Sequence, residues 1–261
     1  MALKIKRKKY KTGIVLSGGG TRGFAHLGVL QALNENGIYP EIISGVSAGA
    51  IAGALYCDGK KPHEILNILT KHKIYNYLEL RLPTHGLVEM AGFEKKLKDN
   101  LEAKSFEDLK LPLMVFAADM NNATLVKFDK GDLVNAVKAS SSIPVLFPPV
   151  KIGDTLYSDG GIIENFPIEP LENICQEIIG VNVNPIGYEK SLPNLFKLAE
   201  RTFHIIIRTR IIERKDDCSM FIEPKNLDNY SLMNLSNAKE VYKLGYDEAI
   251  NVLKEKNKLK K

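Results

Sequence analysis

The chain has 261 residues, of which 44% are hydrophobic and 26% are charged, a balance typical of a soluble globular protein with one large domain. Its net charge of +5 is concentrated at the ends: residues 1–11 hold six basic residues and no acid, and residues 251–261 hold five basic residues and one acid. The segment between these basic tails therefore carries a net charge of −5, which argues against a nucleic-acid-binding surface. No apolar run approaches the roughly 20 residues that span a bilayer, and no apolar segment follows the first basic residues, so we expect neither a membrane span nor a secretory signal.

The three cysteines and the basic tails bear on where the protein works. Three cysteines without metal-site spacing predict reduced thiols and a cytoplasmic protein. The tails suit either solubility or transient contact with an anionic surface such as the inner face of a membrane, where each Lys or Arg contributes about 1 kcal/mol. The sequence leaves both roles open and gives no oligomeric state.

Two strand–helix units open the chain. The first predicts a buried strand at residues 13–17, a glycine-rich turn and a helix from Phe24 that ends before Gly37. The second predicts a strand at 41–44, a tight turn at 45–49 and an alanine-rich helix to about residue 56. Two such units in succession indicate a parallel sheet covered by helices.

The remaining elements continue this pattern. We expect helices at 62–73, 93–101 and 132–139, buried strands at 113–118, 125–128 and 178–184, a hairpin with a glycine turn at 154–163, and long helices at 192–215 and 237–256. The predicted fold class is α/β, three-layer α/β/α with a mostly parallel central sheet. A single domain is expected at 12–250, with its motifs in 12–185 and a helical part at 190–250.

A glycine loop follows the first strand. Gly18, Gly19, Gly20 and Gly23 let the backbone turn several N–H groups toward one point, and the helix that follows adds its positive end, so the loop suits an anion. Three interpretations remain: a G-x-G-x-x-G dinucleotide site with Glu41 as its acidic residue, an oxyanion hole for acyl transfer, or a tight turn alone.

A serine turn follows the second strand. Residues 45–49 fit G-x-S-x-G, in which a strained strand-to-helix turn presents the Ser47 hydroxyl at the carboxyl edge of the sheet. Gly45 and Gly49 are required because the strand and the helix pass close to each other there. The alternative is that Ser47 is only the N-cap of the helix and has no catalytic role. Because both turns open at the same edge, the amides of Gly18, Gly19, Gly20 and Ala48 are expected to converge on one oxygen.

The serine needs a base. Five histidines are available, and none lies in a turn that marks a catalytic residue: His26, His63, His72, His85 and His204. Asp159, followed by Gly160 and Gly161, is the better candidate because bare backbone permits close approach, although Asp-Gly alone is more often a hairpin turn.

Taken in order, the glycine loop, the serine turn and Asp159-Gly160-Gly161 resemble the three signatures of patatin-like phospholipases, over about residues 12–185. Residues 139–144 are similar to that family's segment ahead of the aspartate. The resemblance implies a Ser47–Asp159 catalytic dyad and an oxyanion hole at Gly18, Gly19 and Gly20. It also implies that Arg22 is the basic residue of the loop. Supporting roles are implied for five glycines: Gly23, Gly45, Gly49, Gly160 and Gly161.

The resemblance implies a serine lipid acyl hydrolase that acts on a fatty-acyl ester or phospholipid through an acyl-enzyme on Ser47. It requires no cofactor, and the sequence shows no calcium loop or zinc ligand set. The alternatives are an acyltransferase using the same serine, a non-catalytic lipid-binding protein, or a nucleotide-binding protein. An apolar cluster is expected either to line an acyl channel, with Gly86 as a hinge, or to form ordinary core: Leu78, Leu80, Leu82, Leu87, Val88 and Met90.

Overall fold

The computed structural model describes residues 8–71, 91–144, 146–232 and 234–259. Their strands are β1 (Tyr10–Leu16), β2 (Ile42–Val46), β3 (Leu113–Asp119), β4 (Thr124–Phe128), β5 (Val150–Ile152), β6 (Thr155–Asp159), β7 (Cys175–Val181) and β8 (Met220–Ile222). Their α-helices are α1 (Phe24–Glu35), α2 (Ala48–Cys57), α3 (Pro62–Lys71), α4 (Ala91–Asn100), α5 (Leu133–Ser140), α6 (Glu169–Glu172), α7 (Leu195–Arg214) and α8 (Ala238–Leu259).

These strands form one mixed sheet in the order β5-β6-β3-β2-β1-β7-β8, and β4 pairs with β3. The pairings among β3, β2, β1, β7 and β8 are parallel, because helices return the chain to the same edge. The β4, β5 and β6 strands are antiparallel to their neighbours. The central strands of the sheet therefore place the loops after β1, β2 and β7 side by side at one carboxyl edge.

Hydrophobic core lies on both faces of this sheet. Ile14 and Leu16 pack with apolar residues of α1, α2, α5 and α8. Val15, which points to the opposite face, packs with Leu171 of α6 and Ile211 of α7. The predicted three-layer α/β/α class is confirmed.

Helices α1 and α8 cross at two glycines. A Cβ on Gly28 would lie 1.9 Å from the Tyr242 carbonyl oxygen, and one on Gly245 would lie 2.1 Å from the Ala25 carbonyl oxygen. The crossing therefore requires hydrogen at both positions. It anchors the C-terminal helix against the first strand–helix unit.

Several predicted boundaries differ from the structure. The hairpin is formed by β5 and β6 around Gly153, whereas Gly160 begins a 3₁₀ turn, because β6 ends at the sheet edge. The strand expected at 125–128 is a partly exposed edge strand, since it pairs only with β3. Strand β8 was missed because it has only three residues.

Parts of both tails belong to regular elements. β1 begins at Tyr10, which pairs with Cys175, and α8 continues to Leu259, so residues 251–259 are helical. Residues 1–7 and 72–90 lie outside the described residues. With them lie the predicted apolar cluster, the Gly86 hinge, His72 and His85. No helix of the described ranges is long and apolar enough to cross a membrane.

Candidate active site

Ser47 occupies a strained turn between β2 and α2. Its φ of 53° and ψ of −121° lie in a region that L-residues rarely adopt. The turn needs the two flanking glycines. A Cβ on Gly45 would lie 2.7 Å from the Gly49 carbonyl oxygen, and one on Gly49 would lie 2.1 Å from the Leu16 carbonyl oxygen.

A buried serine behind the turn holds it in place. The Ser47 amide donates to Ser140 Oγ at 2.9 Å, and the Ser140 hydroxyl donates to the Phe116 carbonyl oxygen at 2.6 Å. The bond links the turn to α5 and, through Phe116, to β3. Residues 139–144 contribute to the family resemblance, but nothing in their pattern identifies Ser140 as the support of the turn.

Asp159 ends β6 beside Ser47. The Ser47 hydroxyl lies near enough to the Asp159 carboxyl group to lower its pKa, and the two residues are only 6% and 4% exposed. The Gly161 amide donates to Asp159 Oδ1 at 2.8 Å. Burial raises the pKa of Asp159 to about 6, while the bonds from Ser47 and Gly161 act in the opposite direction.

The glycines after Asp159 allow the loop to approach the sheet. A Cβ on Gly160 would lie 2.5 Å from the Phe116 carbonyl oxygen, and one on Gly161 would lie 3.0 Å from Asp159 Oδ1. Side chains at these positions would push the carboxylate away from β3 and Ser47.

The glycine loop lies against the serine turn. A Cβ on Gly18 would lie 3.1 Å from Ser47 Cβ, and one on Gly23 would lie 2.5 Å from Ala48 Cβ. Gly19 and Gly20 have φ values of 156° and 55°, which glycine adopts most readily. Ala48 is the first residue of α2, so its amide belongs to the unpaired N-terminal turn of that helix.

Arg22 is held by carbonyl groups of the C-terminal part of the chain. Its Nε donates to the Tyr230 carbonyl oxygen at 2.9 Å and its Nη2 to the Asp228 carbonyl oxygen at 3.5 Å. The Thr21 amide donates to the Leu232 carbonyl oxygen at 2.9 Å. Arg22 therefore fixes the glycine loop to residues 228–232, an interaction that the loop sequence alone did not indicate.

Two buried asparagines at the site were not predicted as site residues. Asn184 Nδ2 donates to the Gly18 carbonyl oxygen at 2.6 Å. Asn165 contacts the same glycine from the other side, since a Cβ on Gly18 would lie 2.3 Å from Asn165 Oδ1. The sequence offers the same signal for both residues, namely an asparagine shortly after an element that reaches the site. Asn184 follows the carboxyl end of β7, and Asn165 follows Gly161.

The described histidines form no triad with Ser47. His26 is fully buried, its Nε2 lies 2.8 Å from the Ser17 carbonyl oxygen, and burial lowers its pKa to about 4. His63 is an exposed residue of α3, and His204 lies on α7. The titratable side chain that lies beside the Ser47 hydroxyl is instead that of Asp159.

Glu41 lies too far away for the dinucleotide interpretation. It precedes β2 and accepts a 2.7 Å hydrogen bond from the Lys11 amide, near the start of β1. The glycine loop follows the opposite end of β1, so Glu41 cannot contact a ribose whose phosphates lie in that loop. Among the described residues, no cluster of three His, Cys, Asp or Glu side chains is arranged to hold a metal ion.

A narrow apolar slot opens beside the serine turn. Its volume is about 30 Å³, and its walls come from the glycine loop and from α1, α2, α3 and α4: Gly20, Gly23, Phe24, Leu27, Ala48, Ile51, Ala52, Leu69 and Phe93. Ala48, the residue that follows Ser47 in the chain, is one of these lining residues.

Comparison with known proteins places the chain in a family. A family model described as patatin-like phospholipase matches residues 14–172, more than half of the chain, so the protein belongs to the patatin-like phospholipase family. The resemblance seen in the three sequence motifs is confirmed.

Similar proteins include lysophospholipase NTE1 of Debaryomyces hansenii, which is 24% identical over 277 residues, covering 92% of this chain and 18% of that protein. The neuropathy target esterase sws of Drosophila melanogaster is 28% identical over 271 residues, covering 90% of this chain and 19% of that protein. The chain thus spans about a fifth of the length of these two relatives. The crystal structure of VipD from Legionella pneumophila shares the fold, with a TM-score of 0.58 at 15% identity, covering 98% of this chain and 72% of that one.

Proposed function

We propose that the protein is a lipid acyl ester hydrolase in which Ser47 is the nucleophile and Asp159 is the general base. The observation that carries this proposal is the placement of two buried groups at the carboxyl edge of the sheet: the Ser47 hydroxyl lies near enough to the Asp159 carboxyl group to lower its pKa. Family membership and the strained backbone of Ser47 support the same assignment.

The proton transfer is feasible because of burial. An ordinary Asp is a much weaker base than His, but a pKa of about 6 brings Asp159 close to the ordinary histidine value of about 6.5. Asp159 accepts the Ser47 proton as the serine oxygen attacks the ester carbonyl. It then protonates the departing alcohol, and water releases the acyl group by the reverse sequence.

The negative charge of the tetrahedral intermediate is stabilised by hydrogen bonds from four backbone amides, those of Gly18, Gly19, Gly20 and Ala48. Gly18 and Ala48 flank Ser47 from the two motifs, and the positive end of α2 adds to the field there. Each such donor contributes roughly 3–4 kcal/mol to transition-state stabilisation.

The slot beside Ala48 is lined by apolar residues, which suits the part of an acyl chain next to the ester, while its volume of about 30 Å³ is far below that of a whole chain. The names of the two relatives, a lysophospholipase and an esterase, make lysophospholipids the first substrates to assay. The apolar cluster of residues 78–90 keeps both of its interpretations, the lining of an acyl channel and ordinary core. Contact of the basic tails with an anionic membrane also remains a prediction.

The test is labelling with a fluorophosphonate probe, followed by mapping of the modified residue. We expect Ser47 to be labelled, and both labelling and lysophospholipid hydrolysis to be lost in Ser47→Ala. Ser44→Ala, which removes another buried hydroxyl of the same β2 region, is the matched control and should retain both activities. An active Ser47→Ala variant would disprove the assignment.

Asp159→Asn should also lose hydrolysis, because the amide cannot accept the serine proton. Asp119→Asn is its matched control: Asp119 is a buried carboxylate at the end of β3, held by the Asn121 and Asn122 amides. Addition of an alcohol acceptor in the same assay separates a hydrolase from an acyltransferase. A rate of acyl transfer to the alcohol that exceeds the rate of hydrolysis would indicate an acyltransferase.

A further inference from the structure

The carbonyl group of Gly18 is held by two buried side chains. Asn184 Nδ2 donates to its oxygen at 2.6 Å, and the Ser17 hydroxyl donates to the same oxygen at 3.0 Å. Asn184 is 2% exposed and Ser17 is fully buried. A carbonyl oxygen accepts at two lone pairs, so both acceptor positions of Gly18 are occupied. The peptide group between Gly18 and Gly19 is therefore fixed in orientation.

This orientation determines where the next N–H points. No peptide bond among the described residues is cis, and in a trans peptide group the C=O and the N–H point in opposite directions. Because the Gly18 carbonyl points toward Asn184, the N–H of Gly19 points away from Asn184.

The strand order places Ser47 on that other side. Strand β1 lies between β2 and β7 in the sheet. Ser47 follows β2 and Asn184 follows β7, so the two residues flank the glycine loop that follows β1. Gly18 itself packs on the serine, since a Cβ on it would lie 3.1 Å from Ser47 Cβ. The Gly19 N–H is therefore directed to the side of the loop on which Ser47 lies.

The Gly19 N–H is also available to a ligand. It donates to no acceptor among the residues that the structure describes, and Gly19 is partly exposed. The Thr21 amide of the same loop, by contrast, donates to the Leu232 carbonyl oxygen. An unused backbone donor with a fixed direction, beside a nucleophile, is what an oxyanion hole requires.

We propose that Asn184 is a positioning residue for ester hydrolysis: by binding the Gly18 carbonyl, it holds the Gly19 N–H toward the oxyanion. This inference rests on the proposed function of Ser47 and of the glycine loop. Asn184 lies beyond residues 14–172, so the matched family region does not include it. Without its hydrogen bond, the peptide group between two glycines rotates easily, because glycine permits many backbone conformations, and the N–H loses its direction.

The experiment uses Asn184→Leu, which has a similar volume and no donor, and Asn184→Ala as a second variant. We expect kcat for ester hydrolysis to fall about a hundredfold in both, because the charge on the oxyanion develops only in the transition state. The KM should stay within about twofold of the wild-type value. The apparent pKa of about 6 in kcat/KM should not move, since Asn184 acts on the glycine loop and not on Asp159.

A trifluoromethyl ketone with the same acyl chain supplies the second readout. The Ser47 oxygen forms a bond to its carbonyl carbon, the serine proton passes to Asp159, and the carbonyl electron pair moves to the oxygen, which becomes an oxyanion. Affinity for this ketone should fall about a hundredfold in the Asn184 variants, in parallel with kcat. Affinity for the corresponding secondary alcohol, which forms no bond to Ser47, should change by less than about twofold.

Two further variants complete the test. Ser17→Ala removes the other donor to the Gly18 carbonyl with the loss of a single oxygen, so it serves even if the Asn184 variants do not fold; its kcat should fall about tenfold at unchanged KM. Asn100→Ala is the control, because it removes an amide-to-carbonyl hydrogen bond of the same kind within α4 and should leave every readout unchanged.

Unchanged kcat in the folded variants at Asn184 and Ser17 would overturn the proposal. Equal losses of affinity for the ketone and for the alcohol would also overturn it, because they would show a general disruption of the site. Failure of a fluorophosphonate to label Ser47 in the wild-type protein would instead refute the underlying dyad.

Discussion

Asp159 should make the protein less stable as the pH rises toward neutrality. Its pKa is about 6 in the folded protein because it is buried, and 3.8 is its ordinary value. The folded state therefore binds the Asp159 proton more tightly than the unfolded chain does. The stabilisation from this proton is complete below pH 3.8 and is lost as the pH rises to about 6. The two pKa values correspond to a loss of about 3 kcal/mol.

Replacement of the carboxyl group by an amide removes this cost. Asparagine in place of Asp159 keeps the shape and accepts the bond from the Gly161 amide, but it carries no charge at any pH. We expect the variant to gain stability relative to the wild-type protein between pH 4 and pH 6, by about 3 kcal/mol, and to keep that advantage above pH 6.

The assay is urea unfolding of both proteins at intervals from pH 4 to pH 8, with the difference in unfolding free energy as the measured quantity. Other titrating groups affect both proteins equally and cancel in that difference. The Asp119→Asn protein is the control. Hydrogen bonds from Asn122 lower the pKa of Asp119 below its ordinary value of 3.8, so Asp119 is ionised in both states across the assay range, and the stability difference from wild type should stay nearly flat from pH 4 to pH 8. A difference between wild type and Asp159→Asn that stays flat or falls with pH would refute the desolvation argument.

The remaining predictions concern rate, packing and chain length. The kcat/KM for ester hydrolysis should rise with pH around an apparent pKa of about 6, since only ionised Asp159 accepts the serine proton; a profile without this limb in a stopped-flow assay would contradict that role. Gly28→Ala should lower the unfolding free energy by about 3 kcal/mol, since its Cβ would lie 1.9 Å from a carbonyl oxygen of α8. Gly37→Ala is the control: it has open space and a φ of 73°, so calorimetry should show a loss of only about 1 kcal/mol. Ala52→Leu should fill the apolar slot and reduce the rate on long-chain relative to acetyl esters by about tenfold, measured across a series of p-nitrophenyl esters; an unchanged ratio would place the acyl chain elsewhere.

The sequence determined the parts of the site that depend on local backbone. Gly45, Ser47 and Gly49 predicted a strained strand-to-helix turn, and the structure forms that turn. The glycine loop follows a strand whose apolar residues predict burial, so its place at the sheet edge followed from the strand-loop-helix order. The parallel core of the sheet was predictable for the same reason.

Tertiary structure decided which distant residues meet. Asp159 lies 112 positions after Ser47, and Asp-Gly alone favoured a hairpin turn; the resemblance of the whole pattern to a family made the difference. Only the pairing of β6 with β3 brings the carboxylate to the hydroxyl, and only burial there raises its pKa. Glu41 shows the opposite case. Its spacing from the glycine loop fits a dinucleotide site, but the fold places it at the end of the sheet opposite that loop.

The support of the site was invisible for a related reason. Ser140, Asn165 and Asn184 are short polar residues whose sequence neighbours say nothing about what they contact. Arg22 likewise bonds to carbonyl groups more than 200 positions later in the chain. Local sequence determines backbone conformation because sterics act between neighbours, whereas hydrogen bonds between distant segments exist only after the sheet and its two helical layers have packed.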